Sequence, residues 1–176
     1  MTLSLVRTSI RDAIQEKLPG WRVFPHLSAV TQVPAVIVQP STDVEIPSAE
    51  YHAQFGGVTK WYLDLTILVP FKNMDVATEL LDQVVSADGP KSIPYIMNLK
   101  NTPALKDVFR TLKCTKMRDY GGKYSAMDID HIGACIKLEV EEQCRNTALS
   151  VGARFLGISP AKSTSVSTDP TTKPDF

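Results

Sequence analysis

Neither sign of charge is in excess in this chain: 19 Lys and Arg stand against 19 Asp and Glu, which leaves a net charge of zero with histidine neutral. Proteins that wrap nucleic acid or lie on anionic membranes usually carry a basic surplus, because neutralising phosphates supplies most of their binding energy. The whole-chain balance argues against that class, and it leaves like subunits no global electrostatic barrier to association. Cysteine is scarce and irregularly spaced. Cys114, Cys135 and Cys144 fit neither a disulfide scaffold nor the closely paired thiolates of a zinc site, so free, largely buried thiols in a reducing compartment are expected. No apolar run approaches the ~20 residues that a membrane-spanning helix requires, so no membrane partner is expected. The start, Met-Thr-Leu-Ser-Leu-Val-Arg, lacks the basic region and apolar run of a secretory leader, which predicts a soluble protein made in a cytoplasm-like environment.

Recognisable chemistry is missing as well. His26, His52 and His131 are isolated from one another, without the close spacing that lets two imidazoles grip one metal. Placement on turns and strand ends accounts for them. A nucleophile can in principle assemble from Cys114 or Cys135 and a histidine, but both thiols fall in strand-like, core-like segments. Asp128 and Asp130 stand two apart; on a strand they share a face that can take a divalent cation, while a solvated turn edge is the simpler account. Gly56-Gly57 and Gly121-Gly122 suit turns and lack the spacing of a nucleotide cradle. Trp21, Trp61 and Tyr62 suggest packing rather than base stacking, because no basic cluster accompanies them. Arg110, Lys113, Lys116, Arg118 and Lys123 form a modest basic run. It reads as a solvated strand face that can also touch acidic partner loops or passing DNA. The expectation is a non-enzymatic protein with no catalytic, cofactor-binding or metal-binding residues.

What is present is ordinary core-forming material, 43% apolar and 22% charged, in a length that suits one domain. Leu5, Val6, Ile10, Ala13, Ile14 and Leu18 recur at steps of three and four and predict a helix from about Ser4, a candidate N-cap, to Leu18. Pro19-Gly20 stops it. Trp21 to Pro25 reads as a short strand and Pro34 to Val38 as a covered one, ended by Pro40. Residues 40–58 lack periodicity and read as a long loop, with a β-hairpin arm as the alternative. Trp61, Leu63, Leu65, Ile67 and Val69 then alternate with Lys60, Tyr62, Asp64 and Thr66, which predicts a strand with one core face and one polar face. Asn73 is placed to cap a helix from Met74 to Ser86, and Ser92 to Leu99 suggests a short second one. Phe109 to Arg118 reads as a strand, Asp119 to Gly122 as a tight turn, and Ile132 to Val140 as a final strand.

The order α, β, β, β, α, α, β, β predicts an α+β fold, an antiparallel or mixed β-sheet with helices packed on one face. This domain is expected to span residues 1–145. Residues 146–176 form an extended C-terminal arm, whose last part, Ser163 to Phe176, is Ser/Thr/Pro-rich and expected to be disordered alone, with a neighbouring subunit as the natural candidate to hold it.

Three stretches carry a family likeness. They are the N-terminal helix with Pro19-Gly20-Trp21-Arg22-Val23, the strand ending Leu65-Thr-Ile-Leu-Val-Pro70-Phe71 with the following Ala77, Leu80, Leu81 and Asp82, and the Gly89-Pro90-Lys-Ser-Ile93 connection leading to Ile132–Val140. Together, over about residues 1 to 143, the chain resembles the tail terminator proteins of long-tailed, non-contractile bacteriophages. The resemblance implies a virion protein that forms a homo-oligomer, a hexameric ring on the head-proximal end of the tail. Its implied partners are the tail tube protein and the head–tail connector or head-completion protein. Genomic DNA passes through the lumen without sequence-specific binding. The alternatives are another head–tail joining or tail-tube subunit, a small α/β ligand-binding domain, and a cysteine-dependent enzyme.

Overall fold

The computed structural model describes residues 3–43, 49–52, 58–71, 73–127 and 129–142. Cys144, Gly56-Gly57, Asp128 and the arm at 146–176 lie outside these. The described residues belong to one unit, Met1–Cys144.

The apolar stripe of the first segment forms α1 (Leu3–Lys17), with Val6, Ile10, Ala13 and Ile14 buried. Ser4 falls inside this helix rather than at its cap. Then come β1 (Arg22–Phe24), a 3-10 turn (Leu27–Ala29), β2 (Ala35–Pro40), β3 (Ala49–His52) and β4 (Val58–Val69). Three helices follow, α2 (Met74–Val85), α3 (Ile93–Ile96) and α4 (Pro103–Lys106), and the described fold closes with β5 (Phe109–Ala126) and β6 (Ile129–Glu142). The sheet has six strands in the order β1-β2-β4-β6-β5, with β3 also on β4. It is mixed, because β1 runs parallel to β2 while every other pairing is antiparallel.

Strand alternation sorts the two faces. Leu63, Leu65, Ile67 and Val69 of β4 and Ile132, Ala134, Ile136, Leu138 and Val140 of β6 meet the buried stripes of all four helices in one core. A smaller cluster, Val30, Ala35, Ile37, Leu68 and Ala126, lies on the opposite face near one end. The fold is therefore α+β with its helices on one face of a mixed sheet, as the periodicities predict.

Local signals behave as their chemistry requires. The Asn73 side chain accepts from the Asp75 backbone N–H at 2.9 Å, and Ser92 caps α3 by accepting from Tyr95 N–H at 3.2 Å. Asn73→Ala is expected to cost about 1 kcal/mol, the usual loss for an N-cap, read as a lower thermal midpoint.

Three expectations need correction. Residues 40–58 are not one loop: Ala49–His52 pairs antiparallel with Trp61–Val58, so the hairpin description holds. Pro40 does not end β2 from outside but is itself its last residue, so the following segment begins at Ser41. Asp119–Gly122 is not the chain reversal. It is a bulge inside β5, where Asp119, Tyr120 and Gly121 face only Ala134, because Arg118 pairs with Cys135 and Gly122 with Gly133. Asp119 (φ 54) and Gly121 (φ 70) supply the positive dihedrals that absorb the extra residues. The reversal lies between Ala126 and Ile129, where Met127 has φ 56.

Candidate functional site

The face of the sheet that carries no helix holds the most unusual chemistry. Even-numbered residues of β4 and odd-numbered residues of β6 point there, and the register sets Asp64 opposite Lys137, Thr66 opposite Cys135 and Tyr62 opposite Glu139. Alternation alone predicts a solvated polar face. Instead Asp64 is only 1% exposed, and Thr66 and Lys137 are buried with it.

Burying a carboxylate demands partners. Asp64 Oδ2 accepts from Arg118 Nη2 at 2.9 Å, from the Thr42 backbone N–H at 3.2 Å and from the Thr42 hydroxyl at 3.3 Å. Lys137 Nζ pairs with Asp43, whose carboxylate also lies 4.0 Å from Arg118 Nη1. Two acids and two bases thus alternate across β4, β5, β6 and the segment leaving β2. The cluster fastens the start of the β2–β3 connection to the sheet. Asp64 Oδ1 and Arg118 Nε have no hydrogen-bond partner among the described residues.

Further along this face, Tyr124 stands opposite His131. His131 is buried and its Nε2 lies 3.1 Å from the Ala126 carbonyl. The Tyr124 ring passes over Gly133, where an added Cβ would sit 3.2 Å from Cδ2. Burial pushes the Tyr124 phenol up to about 12. At the other end Lys60 pairs with Glu139, which raises the ammonium above its ordinary range, and stands 5.2 Å from the Tyr62 ring centroid.

The residues that the sequence singled out do not converge. His26 lies in a loop with Nδ1 2.8 Å from the Ser28 hydroxyl, His52 is in β3, and His131 is in β6. Asp130 accepts from the Ser125 hydroxyl at 2.8 Å. Trp21 is buried in the core, and Trp61 donates its Nε1–H to Glu142. The basic run is not one row either, because register shifts at Phe109/Thr111 and Cys114/Lys116 break its alternation, and Arg118 is drawn into the ionic cluster. No group of three or more His, Cys, Asp or Glu side chains among the described residues is arranged to hold a metal.

Burial pushes the Cys114 thiol up to about 12 and raises Cys135 as well, so neither is an activated nucleophile near neutral pH. Both are expected to react with iodoacetamide at least roughly tenfold slower in the folded protein than in urea. A fast native-state reaction at either thiol would restore the cysteine-enzyme reading. The same groups set a pH dependence. Cys114 and Tyr124 stay protonated in the fold beyond their ordinary values of 9.0 and 10.0, so the unfolded chain releases protons first. Stability is therefore full below pH 9.0 and falls as pH rises towards about 12. Urea midpoints at about pH 8 and about pH 10.5 should differ in that direction.

What the residue-level signals missed is the buried cluster, whose members are separated by 22, 54 and 94 positions. A hint was present in Asp64 itself, a charged residue centred in the most apolar strand. No protein-family model and no curated protein matches the chain.

Proposed function

We propose that this chain is a non-enzymatic virion protein, a tail terminator whose ring caps the tail tube, stops its polymerisation and joins it to the head–tail connector. The observation that supports this most is the layered fold itself. A mixed sheet with all helices on one face is the organisation that the sequence resemblance implies, and it leaves β5 as an edge strand of 18 residues paired only with β6 among the described residues. A long edge interrupted by bulges is protected from indiscriminate pairing yet remains available for a specific neighbour.

The ionic cluster around Asp64 fits a structural role. It ties the segment leaving β2, at Thr42 and Asp43, to the sheet ahead of β3. The arm at 146–176 supplies a further element for a neighbouring subunit, and head proteins and tube proteins are the partners at the two ends of the ring. Localisation at the head-proximal end of the virion tail follows from that role.

The β3–β4 hairpin gives the tail-tube alternative its one specific support, because a tube subunit needs a hairpin to stack on the next ring. One experiment separates the two. Added to tail-tube protein during polymerisation, a terminator shortens the tubes and decorates one end, whereas a tube subunit polymerises by itself. Tubes of unchanged length with bare ends would overturn the terminator reading.

A further inference from the structure

The Arg7 guanidinium is anchored without a counter-charge. Half-buried on α1, it donates Nε–H to the Val38 carbonyl at 2.9 Å and an Nη2–H to the Pro25 carbonyl. Among the described residues no carboxylate pairs with it, and Nη1 has no partner. The two carbonyl dipoles offset part of the charge and fix the plane of the fork. A half-buried cation held in this way is prepared for an anion.

Its neighbours on the helix are donors too. Ser4, Arg7, Thr8 and Arg11 keep the three-and-four spacing that places them on one face of α1, beside the buried Ile10 and Ile14. All four line a cleft of about 180 Å³ that Val23 and Phe24 of β1 also wall. The Ser4 and Thr8 hydroxyls make no hydrogen bond among the described residues. Arg11 is engaged by its neighbour Asp12 at 2.8 Å, an exposed pair that solvent keeps weak. The first turn of α1 contains no acid, so the positive end of the helix adds to these donors uncompensated.

We infer that this cleft between α1 and β1 binds a small phosphate-bearing ligand. Two guanidinium groups and two hydroxyls converge on it, and a phosphate has the charge and the several oxygens to take up all four. The apolar walls of Val23 and Phe24 keep part of the water away, which strengthens each charge-assisted bond. The volume equals the share of about six waters in the liquid. That is room for one phosphate group and a few atoms of its carrier, and too little for a nucleic-acid duplex. The site does not depend on the ring reading, so either can fail without the other.

Calorimetric titration of the full chain with inorganic phosphate, at constant ionic strength, tests it. A Kd of roughly 1 mM or tighter is expected. Acetate should bind at least roughly tenfold more weakly, because it offers one charge and two oxygens. Ser4→Ala/Thr8→Val removes both hydroxyls without touching the Arg7 bonds to Val38 and Pro25, and should weaken phosphate binding roughly tenfold. Arg7→Gln should abolish it, with circular dichroism to verify that the fold survives. Arg110→Gln, which removes an exposed arginine of β5 outside the cleft, should bind as the parent does. A parent chain that takes up no phosphate, or a hydroxyl variant that binds it unchanged, would overturn the site. Acetate binding as tightly as phosphate, or a DNA duplex binding more tightly through the same four residues, would overturn the ligand class.

Discussion

Gly133→Ala is expected to destabilise the fold by about 3–5 kcal/mol, among the largest losses available to a single methyl group. Gly133 sits in the middle of the sheet, opposite Leu68 of β4 and Gly122 of β5. A Cβ there would lie 2.0 Å from the Ile67 carbonyl oxygen and 3.2 Å from the Tyr124 ring. The first contact is with backbone, which cannot rotate aside; relief requires β4 and β6 to separate locally. Gly20 is the control, because a Cβ there meets nothing within 4 Å. Urea denaturation of Gly133→Ala and Gly20→Ala reads both. A Gly133→Ala loss below about 1 kcal/mol would show that the two strands are less closely apposed than described.

Asp64→Leu is the second large effect, with an expected loss of about 2–4 kcal/mol. The substitution removes the carboxylate that accepts from Arg118 and Thr42 and leaves the Thr42 N–H unsatisfied. The loss is tempered because Arg118 is partly exposed and Asp43 still faces both bases. Removing a partner together with the acid should recover part of it, since an uncompensated charge costs more than the pair contributes. The comparison is therefore a double-mutant cycle of Asp64→Leu with Arg118→Leu, followed by urea. Strict additivity of the two losses would contradict the cluster as a coupled unit.

These two positions also mark the boundary of what sequence reasoning reaches. The strands β4 and β6 are legible because Leu63 to Val69 and Ile132 to Val140 alternate over their whole length, and α1 and α2 because their stripes keep helical spacing. Asn73 is legible as a cap because capping is a local event, whereas Ser92, read only as the start of a short helix, proves to be the N-cap of α3. The short strand Ala49–His52 is not, since its strand character comes from pairing with β4 rather than from its own pattern. The Asp119–Gly122 segment misleads for a physical reason: the positive φ that suits a hairpin turn also suits a bulge, and only the distant register of β6 decides between them. Asp64 is recognisable as a polar-face residue, but its burial depends on Thr42, Asp43 and Arg118 closing over it from other parts of the chain.

The central proposal is that copies of this chain form a ring that closes the end of a tail tube. The most direct measurement is the mass of the purified full chain by light scattering over a concentration series, with negative-stain images of the same sample alone and with tail tubes. The account predicts six-fold rings with a central hole, free in solution or seated on one end of each tube. A chain that stays monomeric at every concentration and leaves the tube ends bare would contradict it.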